Sequence, residues 1–492
     1  MFQSLREYPL LKRLGSNKEI LLFVWAFCVR FTVFAFLWWW FRWTGHMPEN
    51  APQFPTLAGD SADFYNLSQN LFHHSTFSSS YGFPLIPESF RLPGYPLYLY
   101  LFDFLPHALL LAILAQIALA SASVVLLYRI GKKFLSEKVA HIGAVLFSIE
   151  PTSVFFSVTV MSDPLFVFLM LLGMYLLLRE PINKREFFTT MLAAGLIFGY
   201  AILTRTIAEY LTPCLLLGYV VLHRKQLRPF SVTFTNLVAF LLGTILVLLP
   251  WSLRNHSTFH TYTLSSTPYI NFTQYNLAEY YAYKNHTTHE VAVKQFQAPI
   301  PYPTSSYWFR SLINEPIFQK EMADGLRGNL LPYTKFHLVK TIPFFVNDSL
   351  RDINRVVGVF PEAASTTGTI NFTSLLLQKD IRGIVHYFMV PQPNMWLLLI
   401  GSLVWASVSL LWLCGLVYAL VKREDKLWFL LVASGIILYF ALLSSPVIQP
   451  RYRMPAAPFM LLLAADGAAS LYSLLKKKRA RETQYQGVFA KD

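Results

Sequence analysis

Charge is scarce in this sequence. Asp, Glu, Lys and Arg make up 14% of its 492 residues, little more than half the roughly 25% of a soluble domain. Apolar residues reach 54% and aromatics 16%, and mean hydropathy is +0.42. That balance excludes an ordinary soluble enzyme. It also excludes a disordered chain, which needs low hydrophobicity and high charge. Cysteine is scarcer still: Cys28, Cys214 and Cys414 each fall inside an apolar run, which reads as packing rather than a disulfide framework or thiol chemistry. Glycine-rich nucleotide fingerprints, transporter-like internal repeats and low-complexity tracts are absent, so nothing points to a nucleotide-driven engine.

What the chain does have is long apolar runs. A membrane-spanning helix takes about 20 mostly apolar residues, and runs near that length lie at 19–42, 107–128, 138–150, 162–179, 187–203, 206–222, 231–250, 396–421, 427–445 and 454–475. The run at 138–150 is short, and 94–106 reads as a partial or interfacial helix. The first run is too long for a signal-peptide core and no small-residue cleavage site follows it, so it reads as an anchor with Trp38, Trp39 and Trp40 at the interface. The predicted fold class is an all-α polytopic membrane protein of about ten spans with an α or α/β extracytoplasmic domain. The expected organisation is a transmembrane module over 1–250 that includes an outer loop at 43–93, an outer domain at 251–394, further spans over 395–475 and a basic tail at 476–492.

The net charge of +14 would suggest nucleic acid if it lay on one soluble face. It lies instead in short clusters between apolar runs: Arg129, Lys132, Lys133 and Lys138; Arg179, Lys184 and Arg185; Arg224, Lys225 and Arg228; Lys422, Arg423 and Lys426; Lys476, Lys477, Lys478 and Arg479; and, at the start, Arg6, Lys12, Arg13 and Lys18. With ten spans all of these fall on one side, which the positive-inside rule makes cytoplasmic. The expected location is a plasma or inner membrane, with both termini cytoplasmic, the chemistry facing outside and no nucleic-acid partner. Short outer connections are then expected near 150–162, 203–206 and 445–453.

Several polar groups gather at the predicted outer rim. Asp60 and Asp63 precede an amphipathic stretch in which Phe64, Leu67 and Leu71 share one helical face. Asp163 precedes Pro164 where a span begins. Each acid also suits a helix N-terminus, where free amides and the dipole favour carboxylates. Arg91, Arg205, Arg254, Arg451 and Arg453 all fall at the same rim, although a positive-inside protein should carry few arginines there. Burying such a charge mid-membrane costs roughly 2.5–3.5 kcal/mol. An anionic lipid phosphate would supply the missing partner, because guanidinium forms forked, charged hydrogen bonds to phosphate oxygens. For Arg91 the competing reading is an interfacial residue snorkelling to headgroups.

In order along the chain, Asp60 with Phe64 four residues later, Arg91-Leu92-Pro93-Gly94-Tyr95-Pro96, Asp163-Pro164, Pro250-Trp251 with Arg254-Asn255, and Arg451-Tyr452 with Pro455 resemble the motifs of the GT-C integral-membrane glycosyltransferases. The pattern is most similar to glycosyltransferase family 39 and its bacterial relatives, the protein O-mannosyltransferases and the aminoarabinose transferases of lipid A. It departs at one point: many members follow the first Asp with Glu, whereas here Ser61 follows Asp60 and the second acid is Asp63. The resemblance implies a polyprenyl-phosphate sugar donor, an acceptor that is glycan, lipid or protein, inversion at the anomeric carbon and Asp60 as general base, with Asp63 and Asp163 as further catalytic acids. It implies phosphate binding by Arg451, Arg453, Arg205, Arg91 and Arg254. No cofactor is required under this reading, and a divalent metal is allowed: His256 with His260, and His286 with His289, have helix-compatible spacing. Tyr262, Tyr269, Tyr275 and Tyr280 suit sugar stacking or interfacial packing. Asn-x-Ser/Thr triplets begin at Asn66, Asn255, Asn271, Asn285, Asn347 and Asn371, all on the predicted outer side. The rival class is a transporter or flippase for a lipid-linked glycan, which usually shows paired halves and charges at mid-membrane rather than at one rim. A non-catalytic subunit of an envelope complex is the third reading.

Overall fold

A computed structural model describes residues 17–44, 60–179, 184–223, 230–347, 350–358, 379–383, 386, 395–446 and 449–489. Among the described residues every regular element is helical and none is a strand, so the described part of the outer domain is α rather than α/β. The apolar runs become α1 (Lys18–Thr44), α4 (Ala108–Phe134), α5 (Glu137–Ser148) continued by α6 (Pro151–Ser157), α7 (Asp163–Leu177), α8 (Lys184–Thr204), α9 (Ala208–His223), α10 (Phe230–Phe259), α18 (Met395–Lys422), α19 (Leu427–Ser444) and α20 (Ala457–Phe489). Two non-spanning helices, α2 (Ser61–His74) and α3 (Gly94–Tyr100), lie between the first two runs. Among the described residues seven helices are long and apolar enough to cross a membrane; α5 with α6 forms a bent eighth candidate, and α7 and α9 are shorter apolar helices. These match the ten runs one for one. Arg6, Lys12, Arg13, Arg224, Lys225, Arg228 and Asn371 fall outside the described residues.

Ion pairs show which helix ends lie together. Lys18 at the start of α1 meets Glu137 at the start of α5 at 2.6 Å, and Arg129 near the end of α4 meets Glu19 at 2.6 Å. Lys133 reaches the carbonyl of Leu178 at the end of α7. The expected basic clusters that are described therefore share one end of the bundle, and the rim acids and arginines share the other. Pairs such as these are exposed and contribute little stability; their value here is as markers of topology.

Small residues set the closest helix contacts. A Cβ at Gly195 would overlap the carbonyl of Phe240, and a Cβ at Gly243 would overlap the carbonyl of Leu192. With glycine at both places α8 and α10 pack backbone to backbone. Close packing of this kind drives helix association where lipid tails remove the hydrophobic difference. Cys28 and Cys214 face outward rather than into the packed interior, and Cys414 is partly covered.

The expected outer connection at 150–162 is instead half helix. The 138–150 run is short because its span is broken: α5 and α6 meet at a bend of 56°. A broken helix inside a membrane exposes main-chain groups that need partners. Glu150 serves the α6 end by accepting from the amides of Thr152 and Ser153 at 3.0 and 2.6 Å. Arg30, fully buried in α1, serves the α5 end by donating to the carbonyl of Ser148 at 3.1 Å, beside a second bond to Ala26. Trp25 adds a bond to the Ser148 hydroxyl. Arg30 escapes a run-length scan because one basic residue does not interrupt an apolar average.

At the non-basic end, α10 continues past the predicted 250 boundary to Phe259. It leads into a helical cap of α11 (Thr267–Ile270), a π-helical stretch (Asn271–Leu277), α12 (Ala278–Lys284), α13 (His289–Gln297), α14 (Glu315–Leu326), α15 (Leu330–Lys340), α16 (Pro343–Val346) and α17 (Leu350–Val357). One apolar cluster of the cap centres on Leu277, Tyr280, Phe296, Tyr333 and Phe336. Beside it, buried Lys340 meets Glu279 at 3.0 Å, and His289 meets the same carboxylate at 3.2 Å. The His289 contact comes first among the causes that hold the Glu279 carboxyl down at about 2.

Replacing Arg30 by Met should leave the Ser148 carbonyl unpaired at the bend. We expect a loss of about 1–3 kcal/mol, seen as a lower thermal midpoint in lipid nanodiscs. Arg30→Lys should recover part of it, since the ammonium keeps the charge and can still donate.

Candidate active site

The amphipathic stretch forms α2 as expected, with Phe64 and Leu67 buried. Asp60 occupies its N-cap position, but its side chain makes no capping bond. Both carboxylate oxygens go elsewhere: Oδ1 accepts from Arg91 Nη2 at 2.7 Å and Oδ2 from Arg451 Nη2 at 3.0 Å. Asp63, one turn on, accepts from Arg91 Nε at 3.0 Å and Nη2 at 2.8 Å. Arg91 thus bridges both acids of α2. The two arginines come from opposite ends of the chain and clasp one aspartate.

The Arg91 motif is legible residue by residue in the fold. The guanidinium lies over the Phe64 and Phe90 rings, at 5.4 and 4.8 Å. Gly94 sits against the Leu203 carbonyl, where a Cβ would collide, and its own carbonyl accepts from Tyr200 at 2.8 Å. Tyr95 packs edge-on against Phe64 at 5.1 Å and donates to Gln116 at 2.8 Å. The spacing of Asp60 and Phe64 therefore places the acid on Arg91 and the ring on Tyr95, from one turn of helix.

Asp163 is the first residue of α7 and is fully buried. It pairs with Arg205, which follows α8. Arg451 also feels the charge of Asp163, so the two clusters adjoin. The loop leading to Asp163 is held by Gln116, whose amide donates to the carbonyls of Ser157 at 3.0 Å and Thr159 at 2.7 Å. Ser61 donates to Val160 at 2.8 Å and ties α2 to the same loop. Gln116 was missed at the level of sequence; its signal is a lone amide within the apolar run at 107–128.

Arg254 and Arg453 are not brought to the acids. Arg254 donates to the Glu88 carbonyl at 2.7 Å and to Asn255 at 2.9 Å, with its guanidinium 4.7 Å from the Trp251 ring. Arg453 is buried, lies 3.6 Å over Trp405 and donates to the Phe344 carbonyl at 2.8 Å. The histidines are spread out as well: His256 stacks on Tyr262 and His289 pairs with Glu279. Among the described residues no three His, Cys, Asp or Glu side chains form a metal-sized cluster. Of the four tyrosines, Tyr280 is in the cap core, Tyr269 donates to Glu315, and Tyr262 and Tyr275 are exposed. An apolar cleft lined by Leu177, Leu178, Leu215, Tyr219, Phe429 and Val432 lies toward the basic end, about 20 Å from Asp163 along α7, and is separate from the charge cluster.

The electrostatics follow from the contacts. Burial by itself would raise the Asp60 carboxyl, but Arg91 and then Arg451 outweigh it and hold it at about 2. Burial would likewise lower Arg91 and Arg451, yet the facing carboxylates push both above the ordinary arginine value. In the cluster three acids face three arginines. Asp60 keeps 28% of its side chain exposed and Arg451 18%, so the centre of the cluster is open to a ligand.

Residues 97–251 match the model of a family described as dolichyl-phosphate-mannose-protein mannosyltransferase. The match contains Asp163 and Arg205 and excludes Asp60, Arg91 and Arg451. No curated protein matches the chain in sequence. Among solved structures, the chain is similar to the oligosaccharyltransferase AglB of Archaeoglobus fulgidus in complex with an inhibitory peptide and a dolichol-phosphate, with TM-score 0.50 and 12% identity over 96% of this chain and 52% of that one. The apo form of the Archaeoglobus fulgidus oligosaccharyltransferase gives TM-score 0.49 and 13% identity, over 95% of this chain and 52% of that one. ArnT from Cupriavidus metallidurans, also apo, gives TM-score 0.34 and 12% identity, over 84% and 73%. The chain spans about half the length of the archaeal enzyme it resembles. Residues 97–251 are thus similar to that mannosyltransferase family, and the helical fold of the chain is similar to that of the archaeal oligosaccharyltransferase.

Proposed function

We propose that this protein transfers a sugar from a polyprenyl-phosphate donor to an acceptor hydroxyl on the non-cytoplasmic side of a plasma or inner membrane, with Asp60 as general base. The observation that carries the reading is the partly open carboxylate of Asp60 clasped by Arg91 and Arg451 at the end of the bundle away from the basic clusters. The positive-inside rule makes that end the outer face. The family description of the matched segment makes a mannosyl donor the first to test. Glycan, lipid and protein acceptors all fit the chemistry.

A carboxyl held at about 2 is a poor base while both arginines bind it. A donor phosphodiester brings one negative charge that competes for the same guanidinium groups. As Arg91, Arg205 and Arg451 turn to the phosphate, Asp60 loses its counter-charges and its basicity rises. Donor binding would thus switch on the base. The acceptor oxygen attacks the anomeric carbon as its proton passes to Asp60. The bond from that carbon to the phosphate oxygen breaks, and the electron pair leaves with the lipid phosphate. Pre-placed arginines stabilise the charge that develops there. Attack opposite the leaving group inverts the anomeric centre. Asp63 holds Arg91 in place and Asp163 holds Arg205. Arg254 and Arg453, committed to main-chain carbonyls and rings, maintain the frame. The steps written here call for no resident cofactor, and a chelator arm in the assay tests for a divalent metal.

The test is transfer by purified protein in lipid, from labelled polyprenyl-phosphate sugars to membrane extract. Asp60→Asn should lower the rate by about 10²–10⁴-fold with donor binding retained. Equal rates would remove Asp60 from the chemistry, and donor binding without transfer by the wild type would favour a carrier. Arg451→Ala should weaken donor binding, whereas Arg453→Ala should lower thermal stability with less effect on donor affinity. Stability should also depend on acid. Because the folded Asp60 carboxyl is depressed, its contribution is present above about pH 4 and is lost as pH falls toward about 2. Asp60→Asn should flatten that part of the thermal-midpoint profile.

A further inference from the structure

The backbone that carries Arg91 is held through three successive carbonyls, the first by the end of α10 and the next two by the segment that opens the helical cap. That of Glu88 accepts from Arg254 at 2.7 Å. That of Ser89 accepts from the amide of Ser266 at 3.0 Å. That of Phe90 accepts from the hydroxyls of both Ser265, at 2.7 Å, and Thr267. In addition, the Ser89 hydroxyl accepts from the amide of Leu312 at 2.9 Å. The Phe90 ring is buried with Ile270, Ile300, Phe309 and Phe318 of the cap, and Arg310 lies 4.5 Å over it.

Within its own loop the segment is equally constrained. Glu88 is buried and accepts from the amides of Ser89 at 3.0 Å and Phe90 at 2.6 Å, and from the Ser79 hydroxyl. A turn tied on the inside and gripped on the outside leaves little freedom to the residue that follows it. That residue is Arg91, whose guanidinium must meet two carboxylates at once. A surface loop can satisfy its carbonyls with water. Bonds to α10 and the cap on three consecutive carbonyls instead fix a position.

We propose that Ser265 and Thr267 are positioning residues for Arg91, so that the cap sets where this arginine stands in the charge cluster. This rests on Arg91 serving the donor phosphate. Displacing a charged group by about 1 Å can cost up to about 100-fold in rate, so a strap on the preceding carbonyl has leverage on catalysis without touching substrate. It also makes the cap and the cluster one mechanical unit, and a molecule bound to the cap beside 265–267 would act on Arg91 through the same bonds.

The experiment uses the full-length protein in nanodiscs and compares wild type, Ser265→Ala/Thr267→Ala, Thr267→Ala alone, and Ser265→Thr/Thr267→Ser, which keeps both hydroxyls. Amide hydrogen exchange over 86–93 is read without any substrate, and kcat and donor KM are read in the transfer assay. We expect the double alanine variant to exchange about tenfold faster over 86–93 with the rest of the cap protected. Its kcat should fall about tenfold, its donor KM should rise, and the hydroxyl-keeping variant should recover all three. Thr267→Ala alone should give an intermediate effect and guards against misfolding of the double variant. Unchanged exchange over 86–93 would overturn the proposal, as would loss of protection throughout the cap in both alanine variants. Absence of transfer by the wild type would instead count against the glycosyltransferase reading, with the exchange data still deciding whether the strap fixes the segment. Faster exchange with unchanged kcat and KM would overturn the catalytic consequence.

Discussion

The arrangement depends on one interaction, the clasp of Asp60 by Arg91 and Arg451. It joins the start of α2, the segment before α3 and the short 3-10 turn before α20, which are remote in sequence. An unpaired ion in this half-buried place would be costly, and its partners must arrive with it. The clasp therefore requires the start of α2, the Arg91 segment and the turn before α20 to meet at one place. The same opposition of charges depresses the Asp60 carboxyl and raises Arg91 and Arg451. Under the proposed mechanism catalysis would exchange partners: the guanidinium groups that hold Asp60 at rest would receive the leaving phosphate.

Around the clasp, the bundle handles polar groups in an apolar medium by local pairing. Gln116 serves Tyr95 on one side and the loop before Asp163 on the other. Arg30 and Glu150 repair the broken span between α5 and α6. Gly94 lets the Arg91 segment press against the end of α8. Each feature removes an unpaired donor, an unpaired acceptor or a collision. The cap adds its hold on the residues before Arg91.

Much of this was legible in sequence, for identifiable reasons. A span is a one-dimensional property, so ten apolar runs matched ten helical paths. Charge at helix ends is nearly one-dimensional too, and the basic clusters that are described gather at one end. The motifs around Asp60, Arg91, Asp163 and Arg451 pointed to residues that do meet, because each lies at a span end where depth is set by the run beside it. The bend at Ile149 was not legible, since a broken span and a short span have the same composition. Arg30 was hidden by averaging, and Gln116 by its apolar neighbours.

Chemical type and depth were thus set by sequence alone: a polytopic helical membrane protein, with acids and arginines at one rim and basic clusters at the other. Which arginine meets which acid was decided only in three dimensions. Arg451 and Arg453 lie in one short turn, yet the backbone sends the first to Asp60 and the second to Trp405 and the Phe344 carbonyl. Arg254, at the same rim, turns to the loop that supports Arg91. Run length and residue type determine how deep a side chain lies. They do not determine its azimuth around the bundle, which follows from how neighbouring helices rotate and pack, and it is the azimuth that separates a group on the cluster from one that holds the frame.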